Sequence, residues 1–250
     1  MQRVGPVCLP DMGSERAYEL SIVDGQIDRI DPVDAEPTQL CLPPFVELHV
    51  HPDRAFCTPP RPPRSLADAI EVSRETKLAS SESTVRQRAS RVFELALSHG
   101  CKRVRGHVDV DPLSGERALR GVLAACDALV DRLAVEVVAF ATAFADLGET
   151  DTVRRLRAAV EAGAGLLGAS PRFHSDPRAS LHRLLDLAAE TGRPVDVHID
   201  ERSTADGFLL EELADATLAR DLLGRVTASH ACALAVVEEK VARRTIEKLA

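Results

Sequence analysis

Phe45-Val46-Glu47-Leu48-His49-Val50-His51 is an apolar run that ends in two histidines one residue apart. Its β-branched and aromatic residues favour a strand, and side chains at i and i+2 of a strand share a face, so His49 and His51 converge. The pattern recurs along the chain: Arg103–Val110, Val135–Thr142, Gly165–Ser170, Pro194–Ile199 and Val226–His230 read as further apolar strands. Helical stretches at Thr84–Ser98, Gly115–Asp131, Asp151–Ala162, Ala179–Thr191 and Leu209–Leu223 separate them, and a helical tail follows at Leu234–Leu249. From the second strand onward the repeat is about thirty residues, the size of one βα unit. Such repeats build a parallel sheet, either doubly wound or a TIM-type (β/α)8 barrel. No Gly-rich GxGxxG or P-loop follows any strand, so a nucleotide-binding doubly wound fold has no positive support. Histidines and carboxylates stand at the strand ends instead, and they favour the barrel.

Composition narrows the class. At 250 residues, 45% hydrophobic and 28% charged, the chain has room for one large α/β domain and is neither disordered nor fibrous. No apolar run approaches the roughly 18 residues of a membrane span. The start, Met1-Gln2-Arg3-Val4-Gly5-Pro6, lacks the apolar run of a secretory signal, which sets the expectation of a cytoplasmic protein. A net charge of −8, with 31 basic against 39 acidic side chains, argues against a nucleic-acid partner. Aromatics at 3% argue against a stacking platform for single strands. The cysteines (Cys8, Cys41, Cys57, Cys101, Cys126, Cys232) never fall in a CxxC spacing, so a zinc ribbon or thioredoxin-type motif is unsupported.

Residues 1–42 read differently from the rest. Tyr18-Glu19-Leu20-Ser21-Ile22-Val23 and Gln26-Ile27-Asp28-Arg29-Ile30 flank Asp24-Gly25, a strong hairpin signal. The division expected is a small β segment over 1–42 and the barrel over 43–250. The proline-rich Cys57–Ser65 stretch reads as a stiff, extended loop over the carboxyl face of the sheet, a surface loop before it is a lid.

The chemistry gathers on histidines. His49 and His51 end the first strand, His107 lies on the second, His198 on the fifth, and His230 ends the sixth. A lone histidine is more often a satisfied core residue than a ligand, but an HxH pair at a strand end reverses that preference. Two imidazoles from one strand and His198 from an opposite one suit a divalent metal with an open position for water. Glu201, three residues past His198, stands where it reaches a metal-bound water as proton shuttle. The rival readings are a carboxylate at a helix N-terminus and a swap of roles with Asp200 on the same turn. His230 is placed to polarise a substrate, or is a core histidine.

These motifs resemble a known family. Phe45–His51, Arg105-Gly106-His107-Val108-Asp109-Val110, Val195-Asp196-Val197-His198-Ile199-Asp200-Glu201 and Thr227-Ala228-Ser229-His230 are similar, in order and spacing, to the amidohydrolase superfamily, nearest its cytosine deaminase branch. The resemblance runs from about Pro43 to Ala235. It implies a distorted (β/α)8 barrel beside a small β-sandwich to which 1–42 contributes. It implies one Zn or Fe ion on His49, His51 and His198, Glu201 as proton shuttle, and His230 beside the attacked carbon. The activity implied is hydrolytic deamination of a cytosine-like or other nucleobase-like heterocycle by metal-activated hydroxide. Thr142 stands where the cytosine enzymes carry a Gln that grips the pyrimidine edge, and a hydroxyl does not offer an amide's paired donor and acceptor.

The family draws its last metal ligand, an Asp, from an eighth strand, whereas the strands counted here stop at the sixth. The expectation is therefore a barrel truncated after about six βα units and lacking the family's C-terminal third. Three explanations follow: a partial chain, a complementing C-terminal polypeptide, or an inactive relative. A homo-oligomer is a further expected partner. The isolated chain is expected to be poorly stable and weakly active. The rival functions are a non-catalytic truncated paralogue and a cyclic amide hydrolase, the latter using the same metal chemistry.

Overall fold

The computed structural model describes residues 1–13, 16–57 and 61–250. Thr58, Pro59 and Pro60, inside the stretch expected to be an extended loop, lie outside them. The chain divides into two compact units, Met1–Phe45 and Val46–Ala250.

The first unit is a four-stranded sheet built from β1 (Gln2–Cys8), β2 (Ala17–Val23), β3 (Gln26–Val33) and β4 (Gln39–Leu40), in the order β3-β2-β1-β4. β2 and β3 form the hairpin expected at Asp24-Gly25, where both residues take positive φ (50° and 77°) as a two-residue primed turn requires. Val7, Tyr18 and Leu20 form its small core.

The second unit is a six-stranded sheet, β5 (Phe45–Val50), β6 (Cys101–Asp109), β7 (Ala134–Ala141), β8 (Leu166–Ala169), β9 (Val195–Ile199) and β10 (Val226–His230), curled into a half-barrel and ordered β10-β9-β8-β7-β6-β5. The pairs recorded from β6 to β10 are all parallel. Each strand lies within a few residues of the span expected from its apolar run. The helices are α1 (Leu66–Ala79), α2 (Glu82–Ser98), α3 (Arg117–Asp127), α4 (Thr150–Glu161), α5 (Pro177–Thr191), α6 (Leu210–Ala219) and α7 (Glu239–Leu249).

Two departures from the sequence reading stand out. α1 was not foreseen; it starts on Ser65, whose Oγ accepts the Asp68 N–H at 3.1 Å. The expected tail helix is instead a 3-10 turn, Cys232–Ala235, followed by α7. α5 was legible from its ends: Asp176 caps its start, Pro177 opens it, and Gly192 stops it in the left-handed conformation. Among the described residues no helix is long and apolar enough to cross a membrane.

Strand alternation separates core from site. Val104 and Val108 of β6, Val137, Ala139 and Ala141 of β7, and Val195, Val197 and Ile199 of β9 join the main hydrophobic core with the helices. The intervening residues occupy the other face: Arg105 and His107, Val138 and Phe140, Asp196 and His198. One glycine makes room there. A Cβ on Gly168 of β8 would stand 2.6 Å from the Asp196 carbonyl oxygen and 2.9 Å from the Phe140 ring.

Candidate metal centre and active site

Five imidazoles meet at the carboxyl ends of β5, β6, β9 and β10. The His49 ring lies 5.3 Å from His51, 4.2 Å from His107, 4.8 Å from His198 and 5.0 Å from His230, centroid to centroid. The His198 ring stands 4.5 Å from His230 and 4.4 Å from Phe140. The sequence placed His51 at the end of the first strand; β5 stops at Val50, and His51 opens the turn that follows.

The residues fit a metal ion by three observations. Ligand atoms of His49, His51 and His198 all lie within 4.8 Å of one another. The buried Nε2 of His198 has no hydrogen-bond partner. Burial, then the neighbouring His107 and His230, lowers the His49 pKa to about 4, and burial followed by His107, His230 and His49 lowers His198 to about 2. His51 is held far below the usual imidazole range by burial and then by Arg54. Neutral imidazoles are the form that ligates. One contact competes: Arg54 Nη2 lies 2.7 Å from His51 Nδ1 and 3.2 Å from Nε2, so His51 presents a free nitrogen only when the guanidinium moves off its edge.

Glu201 and His230 gather with His198 in a second such group, with Glu201 Oε2 3.9 Å from His198 Nδ1. Glu201 does not cap a helix, because α6 begins at Leu210. The first N–H groups of α6 are taken by the Asp200 side chain instead, whose carboxylate accepts that of Leu209, at the cap position, at 3.0 Å and that of Leu210 at 2.8 Å. The choice between the two carboxylates is thereby physical: Asp200 is spent on backbone, and Glu201 faces the cavity. His230 takes φ +75° and Ala231 φ +51°, a strained corner fixed by the Ala231 N–H donating to the Ile199 carbonyl at 3.0 Å.

A cavity of about 370 Å³ opens over these side chains, within the size range of small-molecule sites. Thr142 is on its wall. Its hydroxyl donates to Asp111 Oδ2 at 2.9 Å and accepts the Phe144 N–H at 3.2 Å, so its proton is committed inside the protein. The sequence reading missed the apolar wall: Phe140, Phe144 and Phe173 line the cavity with Ala69 and Ile70 of α1. A signal existed, since a chain with only 7 Phe places these three at or just past the ends of β7 and β8. Also missed was Lys77 of α1, buried against Asp109 Oδ2 at 2.8 Å and against Asp111. Arg54 joins that network through Asp109 at 3.2 Å. Beneath the histidines, Asp196 receives Arg105 Nη1 at 2.9 Å and Ser229 Oγ at 2.6 Å. Burial favours its neutral form, but His107, Ser229 and Arg105 outweigh that and hold it below the usual carboxylate range.

No protein-family model matches the chain. It is 30% identical over 249 residues to a pterin deaminase of Rhizobium rhizogenes, covering 93% of this chain and 56% of that protein. It is 28% identical over 237 residues to the N-isopropylammelide isopropyl amidohydrolase of a Pseudomonas species, covering 87% of this chain and 58% of the relative. The crystal structure of Klebsiella pneumoniae 5-methylcytosine deaminase with 5-fluorocytosine superposes with a TM-score of 0.89 at 29% identity, over 99% of this chain and 63% of that one. The chain thus spans less than two-thirds of the length of these relatives. Across that span, in sequence and in fold, it is similar to enzymes of the cytosine deaminase-like branch of the amidohydrolase superfamily.

Proposed function

We propose that the protein is a metal-dependent hydrolase that cleaves a C–N bond of a small nitrogen heterocycle, most directly by deamination. The observation that carries this reading is the meeting of His49, His51 and His198 with Glu201 and His230 at the floor of one cavity with an aromatic wall. The likeness to a pterin deaminase and a 5-methylcytosine deaminase supports the substrate class.

A single divalent ion, Zn or Fe, held by His49, His51 and His198 would supply Lewis acidity and activate water at neutral pH. The remaining work falls to this chain's own groups. Glu201 takes a proton from the attacking water on its carboxylate and returns it to the departing nitrogen, which leaves as ammonia or an amine. His230 hydrogen-bonds the reacting centre and steadies charge as it develops there. Phe140, Phe144 and Phe173 hold the ring and keep bulk water from it. Thr142 contributes shape and one oxygen lone pair, so the ring's orientation comes from the wall more than from a bidentate grip.

The test is release of ammonia or amine from a panel of pterins, cytosines and substituted triazines by zinc- or iron-loaded protein. Turnover that falls by about 10²-fold or more in Glu201→Gln, with folding intact, is the expected result. A metal-loaded, folded wild type that is silent across the panel overturns the enzymatic reading in favour of a binding protein.

A further inference from the structure

Arg105 and His107 sit two residues apart on β6, and Asp196 and His198 two apart on β9, so both pairs share the inner face of the sheet. His107 is fully buried, yet neither of its ring nitrogens has a well-aligned hydrogen-bond partner. The carboxylate beside it is Asp196, whose Oδ1 lies 3.3 Å from His107 Nε2. That carboxylate is fixed from other sides: Arg105 holds Oδ2 at 2.9 Å and Ser229 holds Oδ1 at 2.6 Å. Arg105 is itself tied to Thr227 Oγ1 at 3.1 Å and to Glu136 at 3.0 Å. On its other side His107 lies against His49, ring centroids 4.2 Å apart and planes tilted by 32°.

We propose that Asp196, clamped by Arg105 and Ser229, positions His107 and through it the ligating imidazole of His49, so that these side chains form a rigid floor under the metal centre; this rests on the metal reading given above. The fixed carboxylate selects the His107 tautomer with the proton on Nε2 and sets the plane of the ring. His49 packs on that plane, so its lone pair keeps its direction whether or not an ion is bound. Carboxylates hydrogen-bonded to ligating histidines commonly set metal affinity, and here the same influence passes through one further ring. His49, His107 and Asp196 also bring ligand atoms within 4.8 Å of one another, but they do not make a second ion site. The Arg105 guanidinium already neutralises Asp196, and a further cation there would be repelled.

The experiment is a Co²⁺ titration of the full chain, followed by visible absorption, for wild type, Asp196→Asn, Ser229→Ala and a His49→Ala/His198→Ala control. Circular dichroism and thermal melting establish that each variant is folded. The floor predicts cobalt affinity weakened about 10–100-fold in Asp196→Asn, with altered ligand-field bands, and a smaller change in the same sense in Ser229→Ala. A merely structural role would lower the melting temperature and leave the bands of bound cobalt unchanged. If Asp196→Asn does not fold, Ser229→Ala, which removes one hydroxyl, decides. Folded variants with wild-type affinity and bands overturn the floor alone. A wild type that takes up no cobalt overturns the metal reading and the floor with it.

Discussion

Asp200 and Glu201 are neighbours of like chemistry with different surroundings, and the difference is testable. Asp200→Ala removes the acceptor for the Leu209 and Leu210 N–H groups and should cost about 1 kcal/mol, read as a lower urea midpoint. Glu201→Gln leaves those bonds intact and should leave the midpoint where it is; the reverse pattern contradicts the assignment. The histidines predict a pH dependence for the metal-free chain. Unfolded, they titrate near pH 6.5; folded, His49 resists protonation to about 4 and His198 to about 2. Below pH 6.5 the unfolded state therefore binds protons that the folded state refuses, so stability is full above that pH and declines as pH falls toward 4. Asp53, pushed up to about 7 by burial and then by Asp109, acts in the opposite sense, because its folded form takes its proton first. Asp200, raised by burial, acts with Asp53, and His174, lowered by burial, acts with the histidines of the site; two carboxyls against four imidazoles do not reverse the slope. A urea midpoint lower at pH 5 than at pH 7 is expected, and one equal or higher at pH 5 refutes it. At this scale the sequence exposed the histidines, because HxH at a strand end is local. It hid Asp200's role, because capping depends on where α6 begins, ten residues on.

Among the elements, α1 shows most clearly what a local pattern conceals. Its Ser65 cap and the Asp68 three residues later were present in the sequence, but the proline-rich stretch before them drew the reading toward a loop. Its importance is tertiary: Lys77 reaches Asp109 and Asp111 at the end of β6, across more than thirty residues of sequence. Lys77→Met strands two buried carboxylates and should destabilise the fold by about 3–5 kcal/mol, measured by denaturant unfolding. A loss under about 1 kcal/mol would mean that the network does not hold α1 to the sheet. The strands were legible for a different reason. The clearest alternate an outer apolar residue with an inner polar one, as Val195-Asp196-Val197-His198-Ile199 shows, so period and chemistry agree. Gly168 is where that alternation meets a hard limit. Gly168→Ala pushes a Cβ into the β9 backbone and should cost about 1–3 kcal/mol by overpacking, again read from the unfolding midpoint. An unchanged midpoint would show that the sheet yields there.

For the whole molecule, the curled parallel sheet divides its labour by face: apolar residues on the outer side bind the helices, and the inner side delivers imidazoles and carboxylates to one end. The order of strands along the half-barrel follows the order of the chain from β5 to β10, which is why a count of βα repeats foretold the architecture. What the count did not give is the depth of the site, since Phe140, Phe173 and Lys77 converge only after the sheet curls. An ion that binds the folded state alone must stabilise it, so zinc at roughly 100 times its dissociation constant should add about 2.7 kcal/mol to unfolding, and His49→Ala/His198→Ala should abolish the gain. The most direct test of the account is the metal content of purified chain, measured by elemental analysis beside that double variant. Roughly one zinc or iron per chain, lost in the variant, is the predicted result for a three-imidazole centre. No metal in the wild type, or equal metal in the variant, would contradict it.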